Sequence, residues 1–262
     1  MTKGLIIAVT VWLKVIRKKD VYVLLILLSA LLSWLTTMNI FGLGGTTRYV
    51  SDTGLLLAWF LAWILAVNVS ARELPEEENR GTIFSLLAKP ITRAELIIGK
   101  WLGAWTVVCT ANAVFYLAIW AIVAVKSGYI DPSAMIQGFV LHCFALAIIT
   151  AIGIAFSTRM NFDAAATISF VFTGASLLLL PRIPEFAVKE KGLRAVVMSL
   201  IYHGLPHFDI LDMRQRIVHD YGPVDVSTMA ALVIYAMLLT VFFLVIAWLA
   251  YRKKLFSRSE LM

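Results

Sequence analysis

The chain has 262 residues, of which 61% are hydrophobic and only 15% are charged, and its formal net charge is +7. Soluble domains carry about 45–50% apolar and about 25% charged residues, so this composition excludes an ordinary soluble protein. The basic residues flank long apolar blocks, which indicates a role in membrane orientation, and no nucleic-acid partner is expected.

Residues 3–17 are predicted to form an amphipathic helix that belongs to an interfacial segment, 1–20. Basic residues interrupt its apolar stripe, so the stretch is too broken to span a bilayer and is expected to lie at the membrane surface. The alternative, that it is the beginning of the first span, stays open. The stripe consists of Leu5, Val9, Trp12, Leu13 and Ile16.

Six apolar blocks follow, and each is long enough for a membrane-spanning helix, which needs roughly 18–20 residues. The predicted fold class is therefore an all-α integral membrane protein, with one domain over 1–262. The third block contains Gly99 and Gly103, a spacing that lets two helices approach closely. The blocks cover about 21–41, 54–71, 99–125, 133–156, 164–181 and 228–250.

Lysine and arginine are distributed unequally between the two sides of these blocks. The N-terminus, the segment 72–100, Arg159 and the C-terminal tail hold 15 of them, and the opposite side holds 8. Six of those eight lie in the long segment 182–227, which also contains six acids. Because basic residues in short loops mark the cytoplasmic side, both termini are predicted to be cytoplasmic and 182–227 to be extracytoplasmic.

The cytoplasmic segment 72–98 carries the most information. Pro75 and the three glutamates after it, Glu76, Glu77 and Glu78, predict a helix start, since carboxylates favour the positive end of the helix dipole. Gly81 and Thr82 are expected to break that helix. A short apolar stripe then runs up to Pro90, and it consists of Ile83, Phe84, Leu86 and Leu87.

Thr92 is predicted to begin the next helix. Glu95 lies three residues later, which is the spacing of a capping box. That helix is expected to continue through Lys100 into the third span. From the residues alone, two interpretations of the segment before it stay open: a short amphipathic helix that docks into a groove on a partner, or a solvated loop that packs against the bilayer surface.

The same segment resembles the coupling region of ABC type-2 permeases. The shared pattern is a Glu-rich stretch, Gly-Thr, a Leu-Leu-Ala-x-Pro-x-Thr-Arg run, and Gly-Lys at the third span. Within that superfamily the chain is most similar to the branch of multicopper-enzyme (nitrous oxide reductase) maturation permeases, and the resemblance covers nearly the whole chain. The pattern residues are Glu78, Gly81, Thr82, Leu86, Leu87, Lys89, Pro90, Thr92, Arg93, Gly99 and Lys100.

The resemblance implies the permease subunit of an exporter in the inner membrane, paired with a second permease chain as a homodimer. A separate ABC ATPase would bind ATP and Mg²⁺, and this chain would bind no cofactor and catalyse no reaction. The sequence agrees, because its one Gly-Lys pair, Gly99-Lys100, lacks the Walker pattern. The residues expected to dock the ATPase are Glu76, Glu78, Arg80, Gly81, Thr82, Phe84, Leu86, Leu87, Lys89, Pro90 and Arg93.

A second function class stays open, a membrane scaffold or regulatory subunit that transmits ATP-driven motion to a partner protein. Ion-coupled transport and intramembrane catalysis are disfavoured, because the spans contain almost no ionisable residues. His142, inside the fourth span, is expected to hydrogen-bond another helix rather than to bind a metal. His203, His207 and His219 could form a metal site with neighbouring aspartates, but their spacing favours a structural cap, and no metal is expected.

Overall fold

The computed structural model describes residues 3–18, 23, 26–27, 30, 46–79, 81, 91–125, 131–184, 193–252 and 254. Every regular element in these ranges is a helix, as the composition predicts. The α-helices are α1 (Lys3–Lys18), α2 (Thr46–Arg72), α3 (Pro75–Asn79), α4 (Arg93–Val125), α5 (Pro132–Ser157), α6 (Phe162–Leu178), α7 (Leu193–Gly204), α8 (Arg214–Val218) and α9 (Val226–Arg252).

Within the described ranges, five helices are long and apolar enough to cross a membrane: α2, α4, α5, α6 and α9. They correspond to the predicted second to sixth spans, and each ends within a few residues of the expected place. Helix α2 begins earlier than its predicted span, and α4 begins at Arg93, as the Thr92 capping box predicted. The predicted first span, 21–41, lies almost wholly outside the described residues.

Helix α5 forms the centre of the bundle, with α2, α4, α6 and α9 packed around it. Small residues let its neighbours come close. A Cβ added to Gly153 would lie 2.0 Å from the Ser70 Oγ of α2, so only glycine fits there. From the other side, the indole nitrogens of Trp101 and Trp105 donate to backbone carbonyls of α5, at 3.1 and 2.8 Å. These two contacts, one helical turn apart, join α4 to α5.

Helix α9 lies at the rim and differs from α5 in its surroundings. Only 11% of its most apolar stretch is buried within the chain. A helix with apolar residues on all sides and little protein cover requires a non-aqueous environment. The large exposed side chains are Val226, Ile234, Met237, Leu238, Val241, Phe242, Val245, Ile246 and Leu249.

Helix α1 packs against the first half of α4 at the predicted glycine pair. A Cβ on Gly103 would lie 2.7 Å from the Val11 Cβ, and one on Gly99 would lie 2.9 Å from the Gly4 carbonyl oxygen. The close-approach prediction for this pair is therefore confirmed. The apolar stripe identified in the sequence faces away from the bundle, since four of its five residues are exposed: Leu5, Val9, Leu13 and Ile16. A separate stripe of Ile7, Ala8, Val11 and Val15 is buried.

The segment before α9 packs into one end of the bundle. Phe208 and Leu211 are fully buried and belong to the main apolar core. The amide of Gln137 on α5 donates to the Val224 carbonyl at 2.9 Å and accepts from the Val224 amide at 2.7 Å. The sequence indicated a cap over this end, and the structure adds that residues 208–218 penetrate between α2 and α5.

Candidate functional site

The segments that the charge distribution placed on one side meet at one end of the bundle. This charged end consists of residues 72–79, 91–100, 157–162, 251–252 and 254, together with α1. Arg72 lies over the ring of Phe162, 4.5 Å from its centre, and Lys254 donates to the Thr158 carbonyl at 3.0 Å. The residues 131–137 and 205–225 lie at the opposite end, where Gln137 pairs with Val224.

A buried lysine is at the centre of the charged end. Lys100 has a side chain that is 1% exposed, and its ammonium lies 3.0 Å from the carboxylate of Glu73, which is 2% exposed. Glu77 forms a second ion pair with the same ammonium. A buried charge costs several kcal/mol unless opposite charge and hydrogen bonds compensate it, and Glu73 and Glu77 supply both to Lys100.

Helix α3, the acidic helix, carries three consecutive glutamates that contact three different parts of the chain. Glu76 pairs with Lys14 of α1 at 3.0 Å, and Glu77 pairs with Lys100 of α4. Glu78 accepts from Lys254, just beyond α9, at 2.7 and 2.9 Å. Consecutive residues on a helix point about 100° apart, so three in a row reach three directions.

Arg93 joins the beginning of α4 to the end of α9. Its guanidinium donates to the backbone carbonyls of Arg252, Tyr251 and Lys254, at 2.7, 2.8 and 3.1 Å. The last carbonyls of a helix have no partner within the helix and carry partial negative charge, so a cation stabilises them. Arg93 therefore fixes the C-terminal end of α9 against α4.

The local predictions for this segment are confirmed where the structure describes it. The acidic helix begins at Pro75, and Gly81 follows it with φ of 67°, a conformation that glycine adopts readily. The Thr92 amide donates to the Glu95 carboxylate at 2.8 Å, and the Glu95 amide donates to the Thr92 hydroxyl at 3.2 Å. This reciprocal pair is the predicted capping box.

Only four of the predicted ATPase-docking residues lie in the described part of the chain: Glu76, Glu78, Gly81 and Arg93. Three of them, Glu76, Glu78 and Arg93, make the contacts within the chain described above. The others lie outside the described residues, and they are Arg80, Thr82, Phe84, Leu86, Leu87, Lys89 and Pro90.

A family model for "ABC-2 family transporter protein" matches residues 6–261, nearly the whole chain. The chain belongs to this family. The ABC-2 chain is accordingly a multi-pass membrane protein and a permease subunit of an ABC transporter, not itself a catalyst. Family members generally work with an ABC ATPase subunit. No curated protein matches the chain.

The basic partners of the acidic helix were not identified from the sequence of this ABC-2 protein. Lys14 and Lys254 were assigned only to flanking basic stretches, and Glu73 received no role. One signal for Glu73 and Lys100 exists: both are charged residues at the edge of an apolar block, where an uncompensated charge is costly. That signal marks the two residues but cannot pair them, because 27 positions separate them.

Two polar residues inside the spans of this ABC-2 protein, His142 and Asn68, are accommodated in different ways. His142 is fully buried and stacks on Trp59, with ring centres 4.3 Å apart and planes 2° apart. Within the described ranges neither ring nitrogen has a hydrogen-bond partner, so the expected bond to another helix is wrong there. Asn68 donates to the Ile64 carbonyl of its own helix at 2.9 Å.

The histidines near the opposite end do not converge. His203 Nδ1 donates to the Ser199 carbonyl at 2.8 Å, and the backbone amide of His207 donates to the Tyr235 hydroxyl at 2.8 Å. His219 lies beside the ring of Tyr221. Across the described residues, no group of three or more His, Cys, Asp or Glu side chains is arranged to hold a metal ion.

Proposed function

We propose that this permease subunit works as a homodimer in an inner-membrane exporter that a separate ABC ATPase drives. The ATPase would bind ATP and Mg²⁺, this chain would bind no cofactor, and alternating access would move the substrate. The observation that carries the proposal is the position of the coupling segment. Its described flanks, 72–79 and 91–93, are both held at the charged end, so the chain leaves and returns at the same end of the bundle.

Within the family, we place the chain in the branch that resembles multicopper-enzyme maturation permeases. This finer assignment is supported by the coupling motif, Leu-Leu-Ala-x-Pro-x-Thr-Arg at residues 86–93, and by the long segment before the last span. The spans are apolar and nearly free of charge, which favours a hydrophobic cargo over an ion.

The ATPase docks on residues 76–93 in this proposal. An apolar stripe with a charged rim is the composition of a short helix that inserts into a groove on a partner. The tertiary contacts support the proposal, because Arg93 and Glu78 anchor the segment on both sides to the same helix end, that of α9. A docked partner could therefore push on the bundle through both flanks.

Docking is tested by co-purification of the chain with its ABC ATPase subunit. We expect Leu86→Asp and Lys89→Glu each to reduce the retained ATPase by about tenfold or more, since a central interface residue is worth about 1.4 kcal/mol or more. Arg216→Glu is the matched control, because Arg216 is exposed at the opposite end and should leave binding unchanged. Equal ATPase retention by all three variants would contradict this surface.

Orientation is tested by labelling single cysteines in a background where Cys109 and Cys143 are replaced by alanine. Asn79 and Tyr221 are exposed at opposite ends, so Asn79→Cys and Tyr221→Cys are the informative positions. A membrane-impermeant maleimide should label Tyr221→Cys in intact cells and Asn79→Cys only in inside-out vesicles. The reverse pattern would place the coupling segment outside the cell and end the transporter proposal.

A further inference from the structure

We infer that the acidic helix α3 is the element that transmits ATPase motion to the bundle, and that Glu76, Glu77 and Glu78 divide this motion among three helices. The inference rests on the proposed function and goes beyond it. The sequence pattern placed Glu76 and Glu78 on the ATPase-docking surface. Their contacts instead direct them into the chain, toward Lys14, Lys100 and Lys254.

The first argument is the separation of the three partners along the chain. Lys14 lies in α1, Lys100 lies in the first half of α4, and Lys254 follows α9. The pair between Glu78 and Lys254 spans 176 sequence positions. All three helices contact this one short element, so a displacement of α3 acts on each of them.

The second argument is the layer beneath the acidic helix. Leu74, directly before α3, is fully buried with Ile7 of α1, Ile97 of α4 and Tyr251 of α9 in a separate apolar cluster. Close-packed side chains transmit displacement because they have little room to yield. The same three helices that the glutamates contact through charge are therefore joined to α3 by packing as well.

The third argument concerns α9. For most of its length this helix has little cover within the chain, with 11% of its apolar stretch buried. Its C-terminal end is the exception, since Glu78 holds Lys254, Lys254 donates to the Thr158 carbonyl, and Arg93 holds three carbonyls. The rest of α9 packs against α5 on one side and exposes its other side, so a movement of its fixed end can tilt it against α5.

The test uses the full permease–ATPase complex and measures two quantities, retained ATPase and a conformational response. The response is the ratio of the maleimide labelling rates of Tyr221→Cys in the vanadate-trapped and nucleotide-free complexes. In the complex that carries only Tyr221→Cys, we expect this ratio to differ clearly from one. Measured only on the permease that still carries the ATPase, Glu78→Lys should bring the ratio about fivefold or more closer to unity, as expected when a coupling free energy of about 1 kcal/mol or more is lost.

The exchange variant Glu78→Lys with Lys254→Glu restores the ion pair with reversed charges. We expect it to recover the labelling response, which a general folding defect would not allow. Asp163→Lys is the control for charge reversal, because Asp163 is exposed at the same end outside the acidic helix. It should change neither the ATPase content nor the response.

Three results would overturn the inference. An unchanged response in Glu78→Lys would show that the pair transmits nothing. Loss of the ATPase in Glu78→Lys that the exchange variant does not restore would show that Glu78 contacts the ATPase directly, which leaves the docking proposal intact. Absence of ATPase from the unchanged complex would remove the proposed function and the inference with it.

Discussion

Two fully buried ionisable side chains, Lys100 at the charged end and His142 in the interior of α5, are accommodated in opposite ways. Lys100 is placed between two carboxylates, and Lys14 and Glu76 extend the same network. His142 has a flat aromatic contact with Trp59, and within the described ranges its nitrogens have no partner.

The difference follows from the cost of burial. An ammonium retains its charge unless its surroundings change strongly, so it needs counter-charge at hydrogen-bond distance. An uncharged imidazole avoids the cost of a buried charge, and stacking gives its ring a contact surface, but in the described part of the chain its two nitrogens stay unpaired at the cost of a lost hydrogen bond. The charged end is therefore a network in which each member depends on the others, whereas His142 is close to an ordinary core residue. Substitutions at the two places should differ accordingly.

The largest effect is expected from Lys100→Met. This change removes the cation that the buried Glu73 shares with the partly buried Glu77, while Glu73 keeps Lys14 at 3.3 Å. Removing one partner of a buried ion pair costs about 3–5 kcal/mol. The purified protein in detergent should lose most of its folding stability, measured by thermal unfolding. The triple variant Lys100→Met, Glu73→Gln, Glu77→Gln removes all three charges and should regain most of the loss. No recovery in the triple variant would mean that the packing of Lys100, not its charge, is what matters.

The second largest effect is expected from Gly103→Leu. A side chain at this position would collide with Val11, whose Cβ lies 2.7 Å from the place of an added Cβ. Overpacking of this kind typically costs about 1–3 kcal/mol, and α1 should separate from α4. Thermal unfolding measures the cost, and proteolysis near residue 19 should report the separation. Gly204→Leu is the control, because nothing lies within 4 Å of an added Cβ there.

Gln137→Leu tests the opposite end with a smaller change. It removes both hydrogen bonds between the Gln137 amide and the Val224 backbone, and the stranded backbone groups should cost about 1–3 kcal/mol. Hydrogen exchange should increase in residues 205–225 and stay unchanged in 72–79. Equal increases at both ends would indicate general destabilisation and contradict the independence of the two regions.

The smallest effect is expected from His142→Phe. Phenylalanine keeps the stack on Trp59 and removes two polar atoms that have no partner in the described structure. A volume-conserving change of this kind usually costs less than about 1.5 kcal/mol. His142→Ala should cost more, because it removes the aromatic contact and leaves a cavity. If thermal unfolding shows the phenylalanine variant to be as unstable as the alanine variant, the imidazole nitrogens have a polar role.

Much of the fold could be predicted because the signals are local. Apolar blocks in a bilayer must be helical, the Thr92–Glu95 spacing begins α4, and Gly99 with Gly103 marks a close helix contact. The distribution of basic residues also predicted which segments share an end of the bundle. Each of these inferences depends on residues a few positions apart or on composition over a short stretch.

The partners of those residues were decided only by the tertiary structure. The sequence identified Glu78 and Arg93 as charged residues in a coupling motif, but their contacts, Lys254 and the end of α9, lie more than 150 positions away. The stack of His142 on Trp59 and the burial of Phe208 and Leu211 are of the same kind. A single sequence fixes which side chains must be compensated when they are buried, because that cost belongs to the side chain itself. Which group compensates them depends on how the helices pack, and that is a property of the whole bundle.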